Sequence, residues 1–125
     1  MVTMRKLDGE QVLMRIFIGE SDRWEHRPLH AALVELFRRE GLAGATVLRA
    51  VAGFGADSVV HTANILRLSA DLPLVIEVVD SQEHLDRVLP QVDRMMRGGL
   101  ITMEKVRVLK YERSEERRVG KECRL

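Results

Sequence analysis

Between Val12 and Ile18, aliphatic side chains at every second position (Val12, Met14, Ile16, Ile18) are interleaved with Leu13, Arg15 and Phe17. Side chains of an extended chain alternate between two faces, so this segment reads as a strand with one wholly apolar face. Whichever face meets the rest of the core, the other still presents Leu13 and Phe17, or Val12 and Ile16. A strand of this kind must be covered on both sides, and few small folds can do that alone.

The remaining elements follow in order. Gly19, Ser21 and Asp22 signal a turn, and Pro28 suits the first helical position, where its missing N–H costs nothing. Leu29, Ala32, Leu33, Leu36 and Phe37 recur at helical spacing on one face, and Gly41 ends that helix. Residues 45–52, rich in small and β-branched types, predict a second strand with Arg49 on the same side as Ala45, Val47 and Val51, closed by Gly53-Phe54-Gly55. Residues 56–73 lack strong periodicity, and so long a connection in a compact domain is functional or mobile.

Leu74 to Val79 predict a third strand. Asp80 and Glu83 have capping-box spacing and open a second helix, with Leu85, Val88, Leu89, Val92 and Met96 on its apolar face. Pro90 removes one backbone hydrogen bond there and predicts a kink. Gly98-Gly99 stops the helix, and residues 100–109 supply the last strand. The order predicts an α+β, ferredoxin-like βαββαβ domain: a four-stranded antiparallel sheet with both helices on one face. The apolar residues left on the opposite face predict a homo-oligomer.

Composition removes several function classes. A chain of 125 residues is one domain, and no apolar run approaches the roughly 20 residues of a membrane-spanning helix. No hydrophobic leader follows Met-Val-Thr-Met-Arg-Lys, so a cytoplasmic protein is expected. The single cysteine excludes a disulfide framework, and a net charge of +1 argues against nucleic-acid binding. Residues 113–125 contain RSEERRVGKEC, which resembles the in-frame translation of a sequencing-library adapter. The expected organisation is a domain over residues 1–112 and a non-native or disordered tail over 113–125. The tail holds five of the 20 basic and three of the 19 acidic residues; without it 15 minus 16 leaves −1.

The sequence carries no catalytic or metal motif. His26 and His30 are separated by Pro28, His61 and His84 have no partner at ligand spacing, and Asp57, Ser58 and His61 are merely neighbours in sequence. The few aromatics do not cluster on one strand as base-stacking sheets require. Arg49, Arg67, Lys105 and Arg107 are basic residues near predicted strand ends, and guanidinium groups pair well with phosphates. Gly53, Gly55 and Gly98-Gly99 lie where elements end, and the bare backbone of glycine permits close approach to a phosphate.

The fragments GESDRWEHRPLHAALVELFRREGLAGATVLRAVAGFGA, HTANILRLSADLPLVIEVVD and GGLITMEKVRVLKY, in this order, resemble the family known as domain of unknown function 190, over roughly residues 10–111. That family is similar to the PII signal-transduction proteins. The resemblance implies a homotrimer whose sheets face a three-fold axis. It also implies a small anionic effector, an adenine nucleotide in PII relatives, bound between neighbouring subunits below a loop that contacts a target. Residues 56–70 stand in that loop position, Gly53 and Gly55 at its base, and Gly98-Gly99 at the phosphate turn. The candidate effector-binding residues are Arg49, Gly53, Gly55, His61, Arg67, Gly98, Gly99 and Arg107. The turn lacks the lysine that PII proteins place after their glycines, and the loop lacks a modifiable tyrosine. The frequent neighbourhood of this family with a membrane fluoride exporter implies a transporter as regulated partner.

Taken together, a non-enzymatic PII-like regulator without a resident cofactor is expected. The alternatives are a small ferredoxin-like enzyme or metal-tolerance protein with a cleft near His61 or Glu77, and a structural oligomer without ligand.

Overall fold

The doubly apolar segment is the central strand. In the computed structural model, which describes residues 7–53 and 72–112, β1 (Gly9–Gly19) is flanked by β5 (Pro73–Asp80) and β6 (Leu100–Val108). Both neighbours are antiparallel to it, with Ile16 opposite Ile76 on one side and Ile101 on the other. β4 (Thr46–Arg49) completes the sheet, in the order β4-β5-β1-β6. The last strand ends one residue before the expected boundary, and β4 is half as long as the predicted strand.

Val12, Met14, Ile16 and Ile18 of β1 join Leu74, Ile76 and Val78 of β5 on the face covered by helices. Helix α1 (Leu29–Arg39) contributes Leu29, Ala32, Leu33, Leu36 and Phe37, the five residues its spacing predicts. It ends as the sequence suggests: Gly41 takes φ +80°, its N–H donates to the Arg38 carbonyl, and the Leu42 N–H donates to the Phe37 carbonyl. Pro28 stands one position earlier than expected, as the residue before the helix.

Helix α2 (Gln82–Met95) runs unbroken through Pro90 and buries Leu85, Val88, Val92 and Met95. Met95 joins the expected set, and the expected Leu89 and Met96 are half-buried against the core, Met96 as the residue after the last turn. The capping box is corrected as well. Ser81, not Asp80, is the N-cap: its Oγ accepts the His84 N–H at 3.2 Å and lies 2.7 Å from His84 Nδ1. Asp80 faces the core on β5, and its buried carboxylate accepts the N–H of Ser81 at 2.7 Å and of Ala43 at 2.8 Å. A Ser81→Ala variant is expected to lose about 1 kcal/mol of stability, measured by urea unfolding, because one helix-end donor loses its acceptor.

A short hairpin of β2 (Arg23–Trp24) and β3 (Arg27–Pro28) precedes α1, where the sequence suggested only a turn. Its two central residues, Glu25 at φ 49° and His26 at φ 68°, adopt the left-handed region without asparagine or glycine. Trp24 anchors the hairpin against the core, and the Arg23 guanidinium closes it by donating to the His26 carbonyl at 2.6 Å.

The helix-free face of the sheet is banded. At one end Leu48, Val75, Phe17 and Leu100 form an apolar row across all four strands. The next row is polar: Arg15 Nε bonds Glu77 Oε2 at 3.0 Å, and Arg15 Nη1 lies 3.7 Å from Glu104 Oε2. Leu13 follows, only 9% exposed between Val79 and Glu104.

Candidate functional site

Four of the candidate residues, Arg49, Gly53, Gly98 and Gly99, gather at one end of the sheet, where β1 and β4 finish and β5 and β6 begin. The ladder fixes their spacing. Arg49 is paired with Leu74, and Leu74 with Ile18. A Cβ added at Gly99 would lie 3.6 Å from Ile18 Cγ2. Arg49 and Gly99 therefore share this end but sit at opposite edges, about three strand spacings or roughly 14 Å apart.

Gly98 and Gly99 are exposed and carry the chain from α2 into β6. Gly99 has φ +113°, and any side chain there would strike the Phe17 carbonyl oxygen at 2.5 Å. The turn is thus pressed against the end of β1, a close approach that only glycine allows. Gly53 lies beside Pro73 at the other edge, the Pro73 Cγ being 3.3 Å from where its Cβ would be.

Arg49 ends β4 on the helix side of the sheet, and its Nη2 is ion-paired with Glu20 Oε2. Glu20 follows β1 directly, its N–H bound to the Leu72 carbonyl at 2.8 Å. Sequence reading did not single out Glu20; an acidic residue beside a turn glycine gives no distinctive signal.

Arg107 is placed elsewhere. It pairs with Glu10 at the start of β1, seven residues along β6 from Leu100, or roughly 23 Å from the glycine turn. Within one chain it does not join that end. Gly55, His61, Arg67 and the loop at residues 56–70 lie outside the described residues, as does the tail at 113–125. Glu77, weighed for a catalytic cleft, is committed to Arg15 on the open face.

A concavity of about 510 Å³ lies at the opposite end, between the last turn of α1 and the C-terminal segment, where Tyr111 OH donates to the Ala43 carbonyl at 3.1 Å. No cluster of three or more potential metal-ligating side chains occurs among the described residues. No helix among them is long and apolar enough to cross a membrane.

A sheet ordered β4-β5-β1-β6 with two helices on one face, closed by a glycine turn at the entrance of its last strand, is a PII-like ferredoxin fold. Solved structures share it. A protein from Thermus thermophilus described as a PII-like signaling protein superimposes with a TM-score of 0.58 at 22% identity, covering 88% of this chain and 98% of that one. CPII from Thiomonas intermedia, bound to ADP and bicarbonate, gives 0.52 at 15% identity, covering 86% and 93%. A further CPII structure holds ADP, AMP and bicarbonate, with a TM-score of 0.53 at 14% identity over 85% and 96%.

Residues 11–108 match the model of family DUF190, described as Uncharacterized ACR. The chain belongs to that family. It is 37% identical over 97 residues to a UPF0166 protein of Aquifex aeolicus, covering 78% of this chain and 91% of the relative. To a UPF0166 protein of Methanocaldococcus jannaschii it is 35% identical over 104 residues, covering 82% and 95%.

Proposed function

We propose that this chain is a cytoplasmic PII-like regulator that works by binding and not by catalysis. In this reading a homotrimer takes an adenine nucleotide into clefts between adjacent copies and uses residues 56–70 to contact a target such as a membrane transporter. The observation that carries the reading is the exposed Gly98-Gly99 turn, pinned against the end of β1, in a fold whose solved neighbours hold ADP and AMP. Backbone N–H groups of such a turn suit phosphate oxygens, and a neutral glycine pair leaves the counter-charge to arginines.

The trimer is supported by the apolar row Leu48, Val75, Phe17 and Leu100, in which Leu48 and Leu100 are 46% and 54% exposed. A contiguous row of this kind is an association surface. In this reading a neighbouring copy supplies Arg107 to the glycine turn, since Arg107 lies roughly 23 Å from the turn of its own chain. A ligand that biases residues 56–70 between two states does so through its difference in affinity for them.

The test combines sedimentation with titration calorimetry on the chain ending at Glu112. A trimer that binds ATP, ADP, AMP or a cyclic nucleotide at one site per chain is expected. A monomer at micromolar concentration, or the absence of heat and of any melting shift with every nucleotide, overturns the reading.

A further inference from the structure

We propose that Glu20 is an affinity-setting residue of the nucleotide site: a built-in carboxylate that competes with ligand phosphate for the Arg49 guanidinium. The assignment rests on the nucleotide-binding reading and extends it to a residue outside the candidate set. Arg49 is the one basic candidate among the described residues at the sheet end that carries Gly53 and Gly98-Gly99, and its charge is already engaged by Glu20.

The two partners are unequally free. Glu20 is 29% exposed and Arg49 is 57% exposed, so the guanidinium is the more accessible partner. Both backbones are fixed, Glu20 by its N–H to the Leu72 carbonyl and the chain after Arg49 by the Ala50 N–H to the Pro73 carbonyl, each at 2.8 Å. Exchange therefore involves side chains alone. A phosphate that docks on Arg49 meets the Glu20 carboxylate as a like charge and must displace it. The cost of displacement is the same whichever phosphate docks, so Glu20 lowers the affinity for ADP and AMP alike. A partly exposed ion pair is weak enough for a phosphate to break and strong enough to lower that phosphate's affinity.

The experiment is titration calorimetry of ADP and AMP against the full chain in four forms: wild type, E20Q, E20D and R49A. Asp keeps the charge of Glu20 but withdraws the carboxylate by one methylene, which separates contact competition from a general field. Both E20Q and E20D are expected to bind ADP and AMP each about three- to fivefold more tightly. R49A is expected to bind ADP at least about tenfold more weakly. Tightening in E20Q with wild-type affinity in E20D makes Glu20 a mere field charge and overturns the inference. Wild-type affinities in both variants, with ADP still bound, overturn it and leave the nucleotide reading standing. A wild type that binds neither nucleotide overturns the reading and this assignment together. Should E20Q fail to fold, E20D decides.

Discussion

A Gly99→Ala variant is expected to unfold about 10 °C below the wild type, a loss of about 3 kcal/mol. Two costs combine. At φ +113° a residue with a Cβ occupies backbone space that L side chains rarely adopt. That Cβ would also lie 2.5 Å from the Phe17 carbonyl oxygen and 2.8 Å from Met96 Cε. The methionine can swing away, but the carbonyl cannot, because Phe17 is held in β1 between Val75 and Leu100. The start of β6 must peel from the sheet to make room. Gly44→Ala is the control: open space surrounds its Cβ position, and its φ is not positive, so a change within about 0.5 kcal/mol is expected. Differential scanning calorimetry of the two variants decides the matter, and equal melting temperatures would refute the account of the turn.

Asp80→Ala carries the second large effect, about 3 kcal/mol in urea unfolding at neutral pH. The carboxylate is 0% exposed and accepts two backbone N–H groups, one from Ser81, the N-cap of α2, and one from Ala43, 37 residues away. Alanine removes the acceptor and leaves those half-buried donors without their protein partner. Asp80→Asn keeps one oxygen but turns an N–H2 group toward a donor, so a smaller loss of about 1–2 kcal/mol is expected. If both variants match the wild type in midpoint and slope, Asp80 does not tie the segment between α1 and β4 to the sheet.

The layered pattern was legible because it is written in periodicity. The alternation in β1, the five-residue stripe of α1 and the alternating burial along β5 each reflect a repeat that only one element can satisfy. What escaped depends on contacts distant in sequence. Asp80 resembles a cap when its neighbours are read locally; its role became visible only with the Ala43 N–H beside it. The β2-β3 hairpin was hidden because Glu25 and His26 replace the asparagine or glycine by which such turns are recognised. The candidate site divided in the same way. Gly53 and Gly98-Gly99 lie at element ends as read, and Arg49, read inside a strand over 45–52, is the last residue of β4, but sequence alone could not show that Arg107 belongs to the other end of the sheet. Nor could it reveal that Glu20 stands beside Arg49, since the pair joins segments 29 residues apart.

The central position of β1 bears on how the molecule is made. The first strand to emerge during synthesis pairs only with segments from residue 73 onward on one side and from residue 100 onward on the other. Until residues 73–80 have left the ribosome β1 has no sheet partner among the described strands, and until residues 100–108 follow one of its edges stays open to foreign strands. Sheet closure is therefore a late event dominated by distant pairings, and a chain cut short before β6 would display an unsheltered β1 edge to its surroundings.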